Sequence, residues 1–294
     1  MNQLDPVKLF ARIAKDIPAE LHENLIVTGS LAAAYDFRTM LEGQAVNTKD
    51  ADLIVHPAGN VGSCAKMTEK LLEIGWTPTP QCFPKENREP VGDLRAIRMF
   101  PPESQDYFIE FLNVPEEGQA SIKDWIPMQL SDGWYGLPSF RFMSVVAISP
   151  KQSAEGIEYA NVAMMALSNL LSHTELGDGR IESGTMQGIL RSAKDLGRVI
   201  ALARLAEREE TENWVPRWID AINQCFPENQ EELASTLGDG LRELIRDDSA
   251  LEETYRTTDI GLLNGMSVSP ENLKAVGERL MVDVIEPVKS AFAQ

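Results

Sequence analysis

The hydropathy pattern changes character at Ser149-Pro150, and that change constrains the fold more than any other feature of the chain. Before it, strand-length apolar runs alternate with helical periods; after it, only helical periods remain. A chain that alternates the two periods builds a sheet with flanking helices, whereas one with only the 3.6-residue period builds packed helices. The expected class is therefore α+β: a mixed sheet flanked by helices over residues 1–150, followed by an all-helical domain over 151–294.

In the first part, Asp5-Pro6 reads as an N-cap with Pro at the first helical position, and Leu9, Phe10, Ile13 and Ala14 supply the apolar stripe. Asn24–Thr28 is a short buried strand that runs into Gly29-Ser30 and then the helix-forming Leu31–Tyr35. Strands are expected at Ala51–His56, Asp93–Phe100 and Asp106–Asn113, the last two joined by a Pro101–Ser104 hairpin connection. A helix over Ser63–Ile74 turns Met67, Leu71, Leu72 and Ile74 inward, and a further strand pair falls at Trp134–Leu137 and Phe142–Ile148. In the second part, helical periods occupy 155–172, 183–208, 212–224, 229–246 and 270–291, with breaks at Gly177–Gly179, Pro227 and Pro270, and no strand is expected.

Charge narrows the partners. There are 27 basic and 45 acidic side chains, a net −18; residues 1–150 carry 13 and 20 of them, and residues 151–294 carry 14 and 25. Both parts are acidic, so neither offers an electrostatic footprint for a nucleic-acid backbone or an anionic membrane. Cys64, Cys82 and Cys225 are too few and too scattered for a disulfide framework or a zinc site. The N-terminus lacks the apolar core of a secretory signal, and the uncharged stretch Tyr159–Thr174 falls short of a membrane span. A cytoplasmic protein without membrane partners is the expectation.

The chemistry concentrates in the block Leu25–Tyr35 and the downstream Asp50–Val55. Gly29-Ser30 stands at a strand-to-helix junction, where free backbone N–H groups and the missing Cβ suit a phosphate. Asp50 and Asp52 are two apart on a strand, so both carboxylates share one face; they repel unless neutralised, and a divalent cation is the usual partner. Glu110 lies inside an apolar run, where an unpaired acid is costly. It faces either solvent on an edge strand or the other two acids. With the two strands side by side, Asp50, Asp52 and Glu110 form a three-carboxylate magnesium site beside the phosphate-binding turn.

This order of elements resembles the polymerase-beta-like nucleotidyltransferase superfamily: strand, Gly-Ser, helix, Asp-x-Asp on a strand, then a lone acid on a later strand. Ile189–Leu196, with its Lys194-Asp195-Leu196 run, resembles the corresponding segment of the abortive-infection (AbiEii-like) nucleotidyltransferase toxins. The resemblance spans residues 20–200. It implies a nucleotidyltransferase-type sheet and transfer of a nucleoside monophosphate from an NTP to an acceptor, in a cleft between the two domains. On the matching positions, Gly29, Ser30, Lys49 and Lys194 bind the nucleotide, Asp50, Asp52 and Glu110 bind Mg2+ and form the catalytic set, and Glu110 activates the acceptor hydroxyl. The sequence departs from the family pattern at Val46, Met165 and Arg198, where the family carries an Arg, a Lys and an acid, and the 19 residues between Ser30 and Asp50 exceed the usual spacing.

Two rival readings follow: a catalytically degenerate member serving as a binding or regulatory module, and the toxin of a toxin–antitoxin pair with an antitoxin partner. The acidic surface favours a small-molecule or protein acceptor over RNA. The basic residues available to the cleft are Arg38, Lys49, Arg95, Arg98, Arg191, Lys194 and Arg198. Arg95 and Arg98 point to opposite faces of their strand, so at most one reaches a triphosphate or Glu110. His22, His56 and His173 lack ligand spacing, and Met164-Met165 and the Trp214/Trp218 pair read as core.

Overall fold

The computed structural model describes residues 4–41, 48, 50–80, 82–83, 94–116, 123–177, 179–181 and 187–293. Among these residues the strands are β1 (Leu25–Thr28), β2 (Asp50–Val55), β3 (Thr77–Pro78), β4 (Cys82–Phe83), β5 (Leu94–Ala96), β6 (Arg98–Phe100), β7 (Phe108–Asn113), β8 (Lys123–Leu130), β9 (Gly133–Phe140), β10 (Lys151–Gln152) and β11 (Glu158–Tyr159). The helices are α1 (Pro6–Asp16), α2 (Gly29–Asp36), α3 (Val61–Glu73), α4 (Met143–Val146), α5 (Val162–Leu176), α6 (Arg191–Leu205), α7 (Arg208–Glu212), α8 (Trp214–Cys225), α9 (Gln230–Thr236), α10 (Asp239–Leu244), α11 (Asp248–Asp259), α12 (Pro270–Leu280) and α13 (Glu286–Phe292). The described residues fall into two compact units, one within Met1–Tyr35 and Thr48–Ala160, the other within Asp36–Asn47 and Asn161–Gln294.

The first unit is mixed α/β. Its sheet runs β10-β11-β1-β2-β7-β9-β5-β4, with β6 bridging β3 to β7 and β8 pairing β9. The sheet is mixed: β1 and β2 are antiparallel, whereas β2 and β7 are parallel. Strand β1 is buried along its whole length, as a short LIVT run with apolar cover on both faces should be. Asp5 accepts from the Val7 and Lys8 amides and caps α1, with Pro6 at the first position. That helix buries Phe10 against Tyr35 and Tyr159, at ring-centroid distances of 4.0 and 5.9 Å. Its last residue, Asp16, is buried and accepts from Arg12 and from the Trp76 indole N–H.

Several expectations change. Of the expected strand over 93–100, residue 93 lies outside the described residues and the rest forms two short strands parted at Ile97, β5 pairing β9 and β6 pairing β7. Strand β9 pairs with β8 through the turn closed by Leu130 and Gly133, and residues 142–148 are not its partner. There, Met143–Val146 form a helical turn with Val145 and Val146 buried. A short β-branched apolar run satisfies either period, and tertiary packing decides. Residues after Pro150 do contribute strands: β10 and β11 extend the sheet, with Glu158 and Tyr159 beside Ile26 and Val27. Met67 and Leu71 are buried on α3, but Ile74 is 40% exposed.

The second unit is helical. Helix α5 buries Met164 and Met165, and Trp218 donates its indole N–H to the Ala163 carbonyl at 2.9 Å. Helix α6 packs on α5, α11 and α12. Gly197 allows the close α6–α11 approach, since a Cβ there would stand 3.0 Å from Thr254 Cγ2. A capping box of Ser269 and Asn272 opens α12, and a π-helical turn at Met281–Ile285 leads into α13. Pro287, without an N–H, interrupts the ordinary helical ladder there.

Candidate active site

Four adjacent strands place one residue each in a single row across the sheet. Thr28 on β1 stands opposite Asp52 on β2, Asp52 opposite Glu110 on β7, and Glu110 opposite Arg98 on β6. Partners in register share a sheet face, and neighbouring strands lie about 4.8 Å apart. Two acids side by side repel. Arg98 offsets this by donating from Nε to Glu110 Oε1 at 2.9 Å, with the Glu110 side chain only 13% exposed. The Arg98 guanidinium also lies 5.5 Å from the Phe108 ring centroid.

The turn after β1 is fitted to this row. Gly29 opens α2 with φ +71, a left-handed backbone that side chains rarely adopt. A Cβ at Gly29 would lie 2.5 Å from Asp52 Oδ2, so the Asp52 carboxylate occupies the space that only glycine leaves. The two sequence motifs therefore meet in space: Asp52 faces the start of α2, where the half-buried Ser30 follows. Free amides at a helix N-terminus favour an anion, and a carboxylate beside them favours a cation.

Asp50 lies one step along β2 on the same face, opposite Phe108 rather than an acid. Thr48 donates from Oγ1 to Asp50 Oδ1 at 2.6 Å and fixes that carboxylate. Phe100 packs edge-on to Phe108 at 5.5 Å, completing a second row of Asp50, Phe108 and Phe100.

Among the described residues, no group of three or more His, Cys, Asp and Glu side chains is placed to hold a metal ion. The charge on Glu110 is instead engaged by Arg98. Magnesium needs only one or two carboxylates when substrate phosphates and water complete its shell. Asp50 and Asp52 are half-exposed on one face of β2, and Asp52 lies against Gly29, a donor number compatible with that requirement.

Of the other sequence candidates, Lys49 lies outside the described residues, as does Val46. Lys194 is half-exposed on α6 in the helical unit, where Arg191 approaches Asp195 at 3.9 Å. Arg95, on β5 rather than on β6 with Arg98, donates to Asp132 at 2.8 Å. His56 stands 3.6 Å from Glu158. Sequence reasoning missed Thr28, Thr48 and Phe108, and left Arg98 as one of two possible partners for Glu110. The β6–β7 register makes that choice, and only the pairing reveals it.

No protein-family model matches the chain, and no curated protein matches it by sequence. No helix among the described residues is long and apolar enough to cross a membrane.

Proposed function

We propose that the sheet unit is a nucleotidyltransferase of the polymerase-beta-like type, transferring a nucleoside monophosphate from an NTP to an acceptor hydroxyl. The observation that carries this reading is the contact between the two motifs, with Asp52 seated against Gly29 at the strand-to-helix turn. In this reading Ser30 and the first amides of α2 bind the triphosphate. Asp50 and Asp52 hold Mg2+, which when bound neutralises charge on the departing pyrophosphate. Thr48 keeps Asp50 oriented. Glu110 receives the proton of the acceptor hydroxyl as its oxygen bonds the α-phosphorus and the bond to the β-phosphate breaks. The net charge of −18 favours a small-molecule or protein hydroxyl over RNA.

One observation favours a second reading, nucleotide binding without transfer. Glu110 is already ion-paired with Arg98 and must be shared or released before it accepts a proton. A labelled-NTP assay separates the two, run in parallel on a metabolite pool, cell protein and total RNA. Transfer predicts label in metabolites or protein that disappears with Asp52→Asn. Label confined to RNA overturns the acceptor preference and brings the toxin reading forward. No Asp52-dependent label in any pool rejects the transferase.

A further inference from the structure

We propose that Arg98 is a positioning residue that withholds Glu110 from the divalent cation, so that the site works with a two-carboxylate metal shell and an ion-paired third acid. The inference rests on the nucleotidyltransferase reading of Asp50 and Asp52.

Thr28, Asp52, Glu110 and Arg98 stand in one row across the sheet. Glu110 is the closest in-register neighbour of Asp52 on β7, and as a free carboxylate it would be drawn to any cation that Asp52 holds. A charge-assisted hydrogen bond from Arg98 Nε, at 2.9 Å, competes for it. Glu110 takes the guanidinium's Nε–H, and the guanidinium carbon lies over the Phe108 ring, 5.5 Å from its centroid. Phe100 braces that ring edge-on at 5.5 Å. Arg98 and Phe100 belong to the same three-residue strand, so the β6–β7 register sets guanidinium, ring and carboxylate together. The consequence is a division of labour among three acids that a sequence pattern treats as equivalent. Asp52 lies against the phosphate turn with Asp50 on the same strand face, while Glu110 is held by the permanent positive charge of Arg98.

Manganese binding to the full-length protein, without nucleotide, tests this by calorimetry and by the Mn2+ paramagnetic resonance signal. Asp52→Asn is expected to weaken Mn2+ by about tenfold or more, because it removes a ligand. Glu110→Gln should leave Mn2+ affinity within about threefold of the wild type, since Glu110 is not a ligand while Arg98 holds it. Arg98→Met keeps an unbranched side chain without the charge and should tighten Mn2+ by about tenfold as Glu110 joins the shell. In a Glu110→Gln background the same change should do little. Glu110→Gln weakening Mn2+ as much as Asp52→Asn overturns the proposal. So does an Arg98→Met gain that is absent, or that persists unchanged in the Glu110→Gln background, since Arg98 would then act only as a distant charge. If Asp52→Asn binds Mn2+ like the wild type, the cation is not at this face and the nucleotidyltransferase reading itself fails.

Discussion

At the scale of single residues, Gly29 carries two constraints at once. Its φ of +71 excludes a Cβ on conformational grounds, and Asp52 Oδ2 excludes one on steric grounds. Gly29→Ala should therefore cost about 2 kcal/mol in urea unfolding, the upper part of the usual left-handed penalty. A loss below about 0.5 kcal/mol would mean that Asp52 is not seated on the turn. Cys64 offers a titratable probe of the same unit. Burial pushes its thiol from 9.0 up to about 12. The folded chain keeps a proton that the unfolded chain gives up at its ordinary value. Its contribution to stability is thus complete below pH 9 and is lost as pH rises from there through about 12. Melting temperatures taken from pH 8 upward should fall more steeply for the wild type than for Cys64→Ser, whose hydroxyl does not titrate there. Parallel curves would contradict a buried thiol.

At the scale of elements, α1 is pinned by its last residue. Asp16 is 7% exposed and accepts from the Trp76 indole at 2.8 Å, while Arg12 links it to Glu103 and lies over the Trp76 ring. Asp16→Ala strands a buried N–H and should cost about 2–3 kcal/mol by chemical denaturation. Asp16→Asn, which keeps an acceptor, should cost clearly less. Equal losses in the two would show that packing, not the hydrogen bond, holds the helix. How much of this could be read in advance depended on length and period. Strands β1, β2 and β7 and helices α1 and α3 are legible because an apolar run or stripe with a clear boundary leaves one solution. Helix α11 escaped because its buried face is made partly of Thr254, Thr257 and Thr258, whose hydroxyls bond back to helix carbonyls and carry no apolar signal. Strands β10 and β11 are two residues each, too short for a period of two to register. In the candidate site, the residue types and the shared face of Asp50 and Asp52 were legible. The pairing partners Thr28 and Arg98 were not, because register is a property of the sheet and not of any one strand.

At the scale of the whole molecule, a net charge of −18 lies behind a site that is itself acidic at Asp50 and Asp52. A triphosphate approaching such a surface needs a cation to accompany it, so nucleotide binding and divalent-cation binding should be inseparable. A pure binding module built on backbone amides alone would not show that dependence. The most direct measurement is calorimetric titration of non-hydrolysable analogues of the four nucleoside triphosphates into the wild type and Asp52→Asn, each with Mg2+ and with chelator. The wild type should bind at least one analogue with Mg2+, with loss of about tenfold or more on chelation or in Asp52→Asn, and the variant should keep its melting temperature. Equal binding with chelator, or equal binding by Asp52→Asn, would contradict this.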